Sequence, residues 1–235
     1  MTRKITGGAV ALALTLAAAA PAAAQAPLRF TESELFIEIN ATDGDAGLQM
    51  QLGGEEWERL RLIDPRGRTI MNVRTGGSLD GYGLTDMVFE SNEPPFRRVP
   101  FRRFRERFPE GRYRFEGTSV SGRRLIGSDR LTHVVPVAPR VLAPTRNAVV
   151  DPGGLTVQWE PVTRPQGIRI VRYQVVVSVE GPGGGDFEVD LPPSATSATV
   201  PPGFLARGAR HAVEVIARAT NGNQTITEVR FRTAA

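Results

Sequence analysis

The chain contains no cysteine, only two histidines, and a single lysine at position 4. Without cysteine there are no disulfides, no thiolate nucleophile and no cysteine-ligated metal, so the fold must be held by hydrophobic cores. The two histidines, His133 and His211, lie in no Gly-x-Ser-x-Gly or His-x-x-x-His context. Both read as packed strand residues rather than bases, and an enzyme is not expected. Long apolar runs are also lacking beyond Ala9 to Ala20, which is too short to span a bilayer comfortably.

That one apolar run follows Arg3 and Lys4 and precedes Ala24-Gln25-Ala26, a small-x-small cleavage pattern. Residues 1–26 are therefore expected to be a cleaved signal peptide, with the product exported to the periplasm or extracellular space and no membrane span. What remains is roughly 210 residues, enough for two domains of roughly 100 to 150 residues or slightly fewer. The net charge of +4 includes Arg3 and Lys4 of the leader. The near-neutral remainder argues only weakly for a polyanion, and nucleic acid is not the expected partner.

Leu155-Thr-Val-Gln-Trp-Glu-Pro161 places Leu155, Val157 and Trp159 on one face of a strand that ends at a Glu-Pro break. Downstream come Tyr173 to Val179, then Ala198-Thr-Val200-Pro-Pro, then Phe204-Leu205 and Gly208, and the alternating run His211 to Ala217. With a Trp in the second strand, a Tyr opening the third, and a Leu and a Gly leading into the sixth, residues 138–235 resemble a fibronectin type III domain. The resemblance implies a β-sandwich in which Trp159 packs beside Tyr173 and Val215. It also implies a Tyr hydroxyl bonded to backbone at the sixth-strand corner, where this chain has His211. Fibronectin-like sandwiches host many functions, so no activity follows from the likeness.

Residues 27–137 also read as short strands cut by turns. Leu35 to Ile39, Leu48 to Leu52, Leu60 to Ile63 and Thr69 to Val73 are strand candidates. Asp64-Pro65-Arg66-Gly67 supplies the residues of a tight turn between the last two. Pro109-Glu-Gly111-Arg-Tyr113 looks like the lead-in to the sixth strand of an immunoglobulin-like sandwich, and Leu125-Ile126 and Leu131 to Val135 would close the sheet. No Trp occupies the anchoring position that Trp159 has in the later segment. The expectation is all-β: two immunoglobulin-like or fibronectin III-like sandwiches in tandem, 27–137 and 138–235. A stiff Pro-rich step, Pro136-Val-Ala-Pro139, would set them end to end.

One short helix is expected in the first sandwich at Pro100 to Phe108, where Phe101, Phe104 and Phe108 recur on one face. Arg97, Arg98, Arg102, Arg103, Arg105 and Arg107 surround that face. With Arg112 and Arg114 they make the segment 97–114 a candidate contact for a polyanion or another partner. Against this stands an acidic stretch, Glu32, Glu34, Glu38, Asp43, Asp45, Glu55, Glu56 and Glu58, with no basic residue between Phe30 and Trp57. Pairing of the acidic stretch with the basic segment inside one molecule is the plainer expectation. Within it Asn40, Asp43 and Asp45 could offer oxygen ligands to calcium from a Gly-bent loop, but the spacing of a calcium loop and its closing Glu are missing. A tight Asp-Gly turn explains the same letters.

No cofactor is implied. The function expected is that of a non-catalytic exported binding or scaffolding protein presenting sandwich surfaces to a protein or glycan partner. Two alternatives remain open at this point: a polyanion binder using the segment 97–114, and an accessory protein of a carbohydrate-active enzyme system.

Overall fold

The computed structural model describes residues 25–181 and 184–235. The export signal expected at residues 1–26 lies, but for Gln25 and Ala26, outside the described residues. The N-terminal half contributes β1 (Leu28–Arg29), β2 (Glu32–Asn40), β3 (Asp45–Ile63), β4 (Thr69–Arg74), β5 (Leu84–Glu90), α1 (Phe101–Arg107), β6 (Gly111–Ser119) and β7 (Arg124–Leu131). The C-terminal half contributes β8 (Val141–Ala143), β9 (Val149–Val150), β10 (Leu155–Trp159), β11 (Ile170–Val179), β12 (Asp186–Leu191), β13 (Ser197–Val200), β14 (Arg210–Ala219) and β15 (Gln224–Thr233). Among the described residues the fold is all-β with one short α-helix.

In the C-terminal half, β13-β10-β8 form one sheet, and β15-β14-β11-β12 form the facing one. Alternation puts Leu155, Val157 and Trp159 of β10 against Tyr173, Val175 and Val177 of β11 and Val213 and Val215 of β14 in a single core. Trp159 is 1% exposed, and its ring lies 5.4 Å from that of Tyr173. The Tyr173 hydroxyl accepts from Val162 N at 2.7 Å.

The N-terminal half is a sandwich of another construction, organised on the 19-residue β3. The first part of β3 pairs with β2 and β5, and its last part pairs with β4 and β6. One strand therefore belongs to both layers. The bend falls at Gly53 and Gly54, where a Cβ on Gly54 would stand 3.3 Å from the Phe30 backbone and one on Gly53 3.0 Å from an Asp86 carboxylate oxygen. At these glycines the strand passes close to its neighbours. Leu35, Ile37, Leu48, Met50 and Leu52 from one layer meet Leu60, Leu62, Tyr113, Phe115 and Leu125 from the other. Trp57, fully buried, sits in the same core.

The β3–β4 turn forms as its letters imply. Asp64 is 1% exposed, and its carboxylate accepts from the amides of Arg66 and Arg68 at 2.9 and 2.8 Å and from Arg68 Nε at 2.8 Å. Burial alone would raise its pKa, but the Arg68 amide and guanidinium and the Arg66 amide outweigh that and hold the carboxyl below its ordinary value.

Two expectations are corrected. Residues 132–135 form no strand, and the two halves are joined by far more than the Pro-rich step. Strand β15 pairs in parallel with β2 through Gln224↔Glu38, Thr225↔Ile39 and Ile226↔Asn40, so one 12-stranded sheet runs through both halves. Around this pair Asn223, fully buried, accepts from Ile37 N at 2.7 Å and donates to Thr132 O at 2.9 Å and Val134 O at 2.8 Å. Thr42 and Glu228 exchange two bonds, and Thr225 Oγ1 donates to Pro136 O at 2.7 Å. Arg218 pairs with Glu34, and its guanidinium lies 4.6 Å from the Phe36 ring centroid. The halves meet side by side along strands rather than tip to tip.

Candidate binding surfaces

The helix forms where the Phe spacing places it. Phe104 is buried, Phe101 and Phe108 are half-buried, and successive rings of Phe96, Phe101, Phe104 and Phe108 stand 5.8, 5.7 and 5.0 Å apart. This aromatic ladder plugs the sandwich. Arg97, Arg98, Arg102, Arg103, Arg105 and Arg107 are all exposed. Arg102 pairs with Glu106 one turn on, and Arg105 lies 5.5 Å over the Phe101 ring. An open groove of about 1010 Å³ runs beside them, with Arg98, Arg103, Arg107, Phe104 and Phe108 in its wall.

The expected pairing of the acidic stretch with this basic segment is not made: among the described residues, no salt bridge links Glu32 to Glu58 with Arg97 to Arg107. Glu34 is drawn to Arg218 across the seam, Glu58 lies 3.7 Å from its neighbour Arg59, and Glu38 accepts from Gln49 and Gln224. Arg112 and Arg114 also leave the helix group. They lie on β6, on the outer face of a different layer.

Asn40, Asp43 and Asp45 sit at the β2–β3 turn. The Asn40 side-chain oxygen accepts from the amides of Thr42 and Asp43, its amide donates to Asp43, and Gly44 N closes the turn on Asn40 O at 2.9 Å. The Asn40 oxygen that a cation would need is thus spent on the turn. Nearby, a carboxylate oxygen from each of Glu38, Glu90 and Glu93 falls within 4.8 Å of the others. Burial, and then the carboxylates of Glu38, Glu90, Asp45 and Asp43, push the Glu93 carboxyl up to about 7. Gly47 leaves room for it, since a Cβ there would lie 2.1 Å from Glu93 Oε1. The sequence carried no signal for Glu93, which reaches this place by pairing of β3 with β5.

His133 is not in a strand; its ring Nε2 lies 2.8 Å from Phe108 O and its amide donates to Glu110 at 2.6 Å. His211 is fully buried on β14, stacked on Phe231 at 5.2 Å, with Nε2 3.3 Å from Ala206 O. It supplies the backbone bond that the replaced Tyr hydroxyl would have made.

The decisive observation for the fold is strand order. A three-stranded sheet β8, β10, β13 faces a four-stranded sheet β12, β11, β14, β15, with Trp159 on the second major strand and the corner residue opening the penultimate one. Residues 141–233 form a fibronectin type III-like sandwich. No protein-family model matches the chain, and no curated protein does. Among solved structures, the FN1-FN3 domains of chicken CNTN1 align over 89% of this chain at 12% identity with a TM-score of 0.36. The chain spans 65% of the length of that segment. The fn3 domain of the human collagen alpha-1(XX) chain aligns over 44% of this chain and 90% of its own length at 21% identity, with a TM-score of 0.33. Among the described residues, no helix is long and apolar enough to cross a membrane.

Proposed function

We propose that this is an exported, non-catalytic binding or scaffolding protein that holds two sandwich surfaces in fixed relation and presents them to a protein or glycan partner, in the periplasm or outside the cell. The single observation that carries this reading is the seam. A strand pair between β15 and β2, with the buried Asn223 bonded on both sides of it, fixes the orientation of the two halves. A scaffold needs such fixed geometry, whereas two modules on a tether do not. The charged side chains also project from open faces of the sheets and the helix, where a large partner can reach them.

The test is saturable binding without turnover. Residues 27–235 are incubated with a glycan array and with envelope proteins, and the bound ligand is recovered and its mass measured. A ligand bound and recovered intact is the expected result. Cleavage or modification of the bound ligand would contradict a non-catalytic role.

A further inference from the structure

The outer face of the layer built from β4, the last part of β3, β6 and β7 is lined with arginine. Register places Arg74 of β4 directly across from Arg59 of β3, with Asn72 across from Arg61. On the other side of β3, Arg59 faces Thr118 and Arg61 faces Glu116 of β6. One strand further, Thr118 faces Arg124, Arg114 faces Ser128, and Arg112 faces Arg130 of β7. The inward alternates, Leu60, Leu62, Tyr113, Phe115 and Leu125, belong to the core, so these arginines share the opposite, solvent-facing side. All of them are exposed.

The charge on this face is not neutralised from within. Glu116 is shared between Arg61 at 2.9 Å and Arg114 at 3.4 Å. Among the described residues, Arg74, Arg112, Arg124 and Arg130 make no salt bridge. Two pairs, Arg59–Arg74 and Arg112–Arg130, set like charges directly opposite each other, an arrangement that costs stability in an unliganded sheet. An anion between the two guanidiniums removes that cost and receives planar, two-pronged hydrogen bonds. The positions form a lattice, about 4.8 Å between strands and about 6.8 Å between alternate residues, suited to charges repeated along a polymer. A shallow groove of about 560 Å³ runs over Arg59, Arg61, Arg74, Thr118 and Arg124.

The side chains between the arginines decide the class of polymer. Asn72, Thr118 and Ser128 donate and accept hydrogen bonds, and Glu116 is an acceptor that takes a hydroxyl. No aromatic ring stands among the outward residues of these registers, so a nucleic-acid base finds no aromatic platform to stack on. We propose that this face, rather than the helix, is a binding site for an acidic polysaccharide. Its carboxylates lie between the arginines of neighbouring strands, and its hydroxyls are met by Asn72, Thr118 and Glu116. The proposal rests on the reading of the protein as a binding module and names the partner's chemistry.

Titration of residues 27–235 with polygalacturonate, at low and at physiological ionic strength, tests it. Binding is expected to weaken with salt, because guanidinium–carboxylate contacts release counterions, and to persist at physiological strength. Arg74→Glu with Arg124→Glu lowers affinity by about tenfold or more, with the far-ultraviolet spectrum unchanged and the melting temperature no lower. Arg74→Gln with Arg124→Gln gives a smaller loss in the same direction. Arg103→Glu with Arg107→Glu on the helix leaves affinity unaltered. Loss of binding in the helix variant but not in the sheet variants overturns the assignment, as does displacement of the polysaccharide by single-stranded DNA at equal charge. A protein that binds neutral glycans or envelope proteins but not polygalacturonate overturns this site and leaves the binding-module reading standing. Shortening of the bound polysaccharide would overturn that reading instead.

Discussion

In the N-terminal half the corner at the start of β6 is pinned by Tyr113, whose hydroxyl donates to Pro109 O at 3.0 Å. In the C-terminal half the same place at the start of β14 is taken by His211, whose Nε2 stands 3.3 Å from Ala206 O. A carbonyl only accepts, so Nε2 carries the proton, and Nδ1 is left buried without a partner. Each half likewise buries one tryptophan, Trp57 and Trp159, with an indole nitrogen lacking a partner. The halves meet the same needs, a large aromatic in the core and a bond that fixes the corner. They do so with different residues, on two ordinary sheets in one case and on a shared bent strand in the other. Architectural likeness between them therefore leaves no sequence repeat.

The largest effects test whether the two cores are equivalent. Trp159→Ala and Trp57→Ala should each cost about 3 to 5 kcal/mol, measured by urea unfolding, as expected for removing a buried aromatic. A near-neutral Trp57→Ala would mean that the bent β3 does not carry a true core. Next comes the seam that binds the halves. Asn223→Ala strands the Ile37 amide and the Thr132 carbonyl, while Val134 O keeps its bond from Asn221, and should cost about 2 to 3 kcal/mol. It should also split a single urea transition into two, while a variant that still unfolds in one step would show that the halves are coupled elsewhere.

The corners give a finer contrast. Tyr113→Phe should lose about 1 kcal/mol with its hydroxyl bond, whereas His211→Tyr should gain a similar or smaller amount by removing the orphaned Nδ1. Loss of stability in His211→Tyr would show that stacking on Phe231 matters more than the corner bond.

A separate effect is set by pH. Glu93 is raised from 4.5 to about 7, so the folded state binds its proton more tightly than the unfolded chain. The resulting stabilisation is full below the ordinary value and is lost as pH rises through about 7. Glu93→Gln, neutral throughout, should match the wild type at pH 4 and exceed it at pH 8 in thermal melts. Equal stability of the two proteins at both pH values would remove Glu38, Glu90 and Asp45 as a source of strain at the turn.

Local pattern made much of this legible. Alternation from Leu155 to Trp159, the Asp64 to Gly67 turn, the lead-in to Tyr113 and the Phe spacing of the helix all act within a few residues, and each forms as written. What lay beyond reach depends on which strands become neighbours. Leu48 to Leu52 and Leu60 to Ile63 read as separate strands, and that Gly53 and Gly54 carry one strand between them, close past Phe30 and Asp86, is a matter of tertiary contact. Asn223 reads as a turn residue because the carbonyls it satisfies come from residues about 90 positions earlier. The outer arginine face is spread over β3, β4, β6 and β7 and never appears as a run. The helix arginines do appear as a run, and so draw attention first.

The central claim is that the strand pair between β15 and β2 makes one rigid body of two sandwiches. Amide ¹⁵N relaxation of residues 27–235 tests this most directly. A single rotational correlation time for amides of β3, β6, β11 and β14 is the result expected. Two distinct correlation times, one for each half, would contradict it.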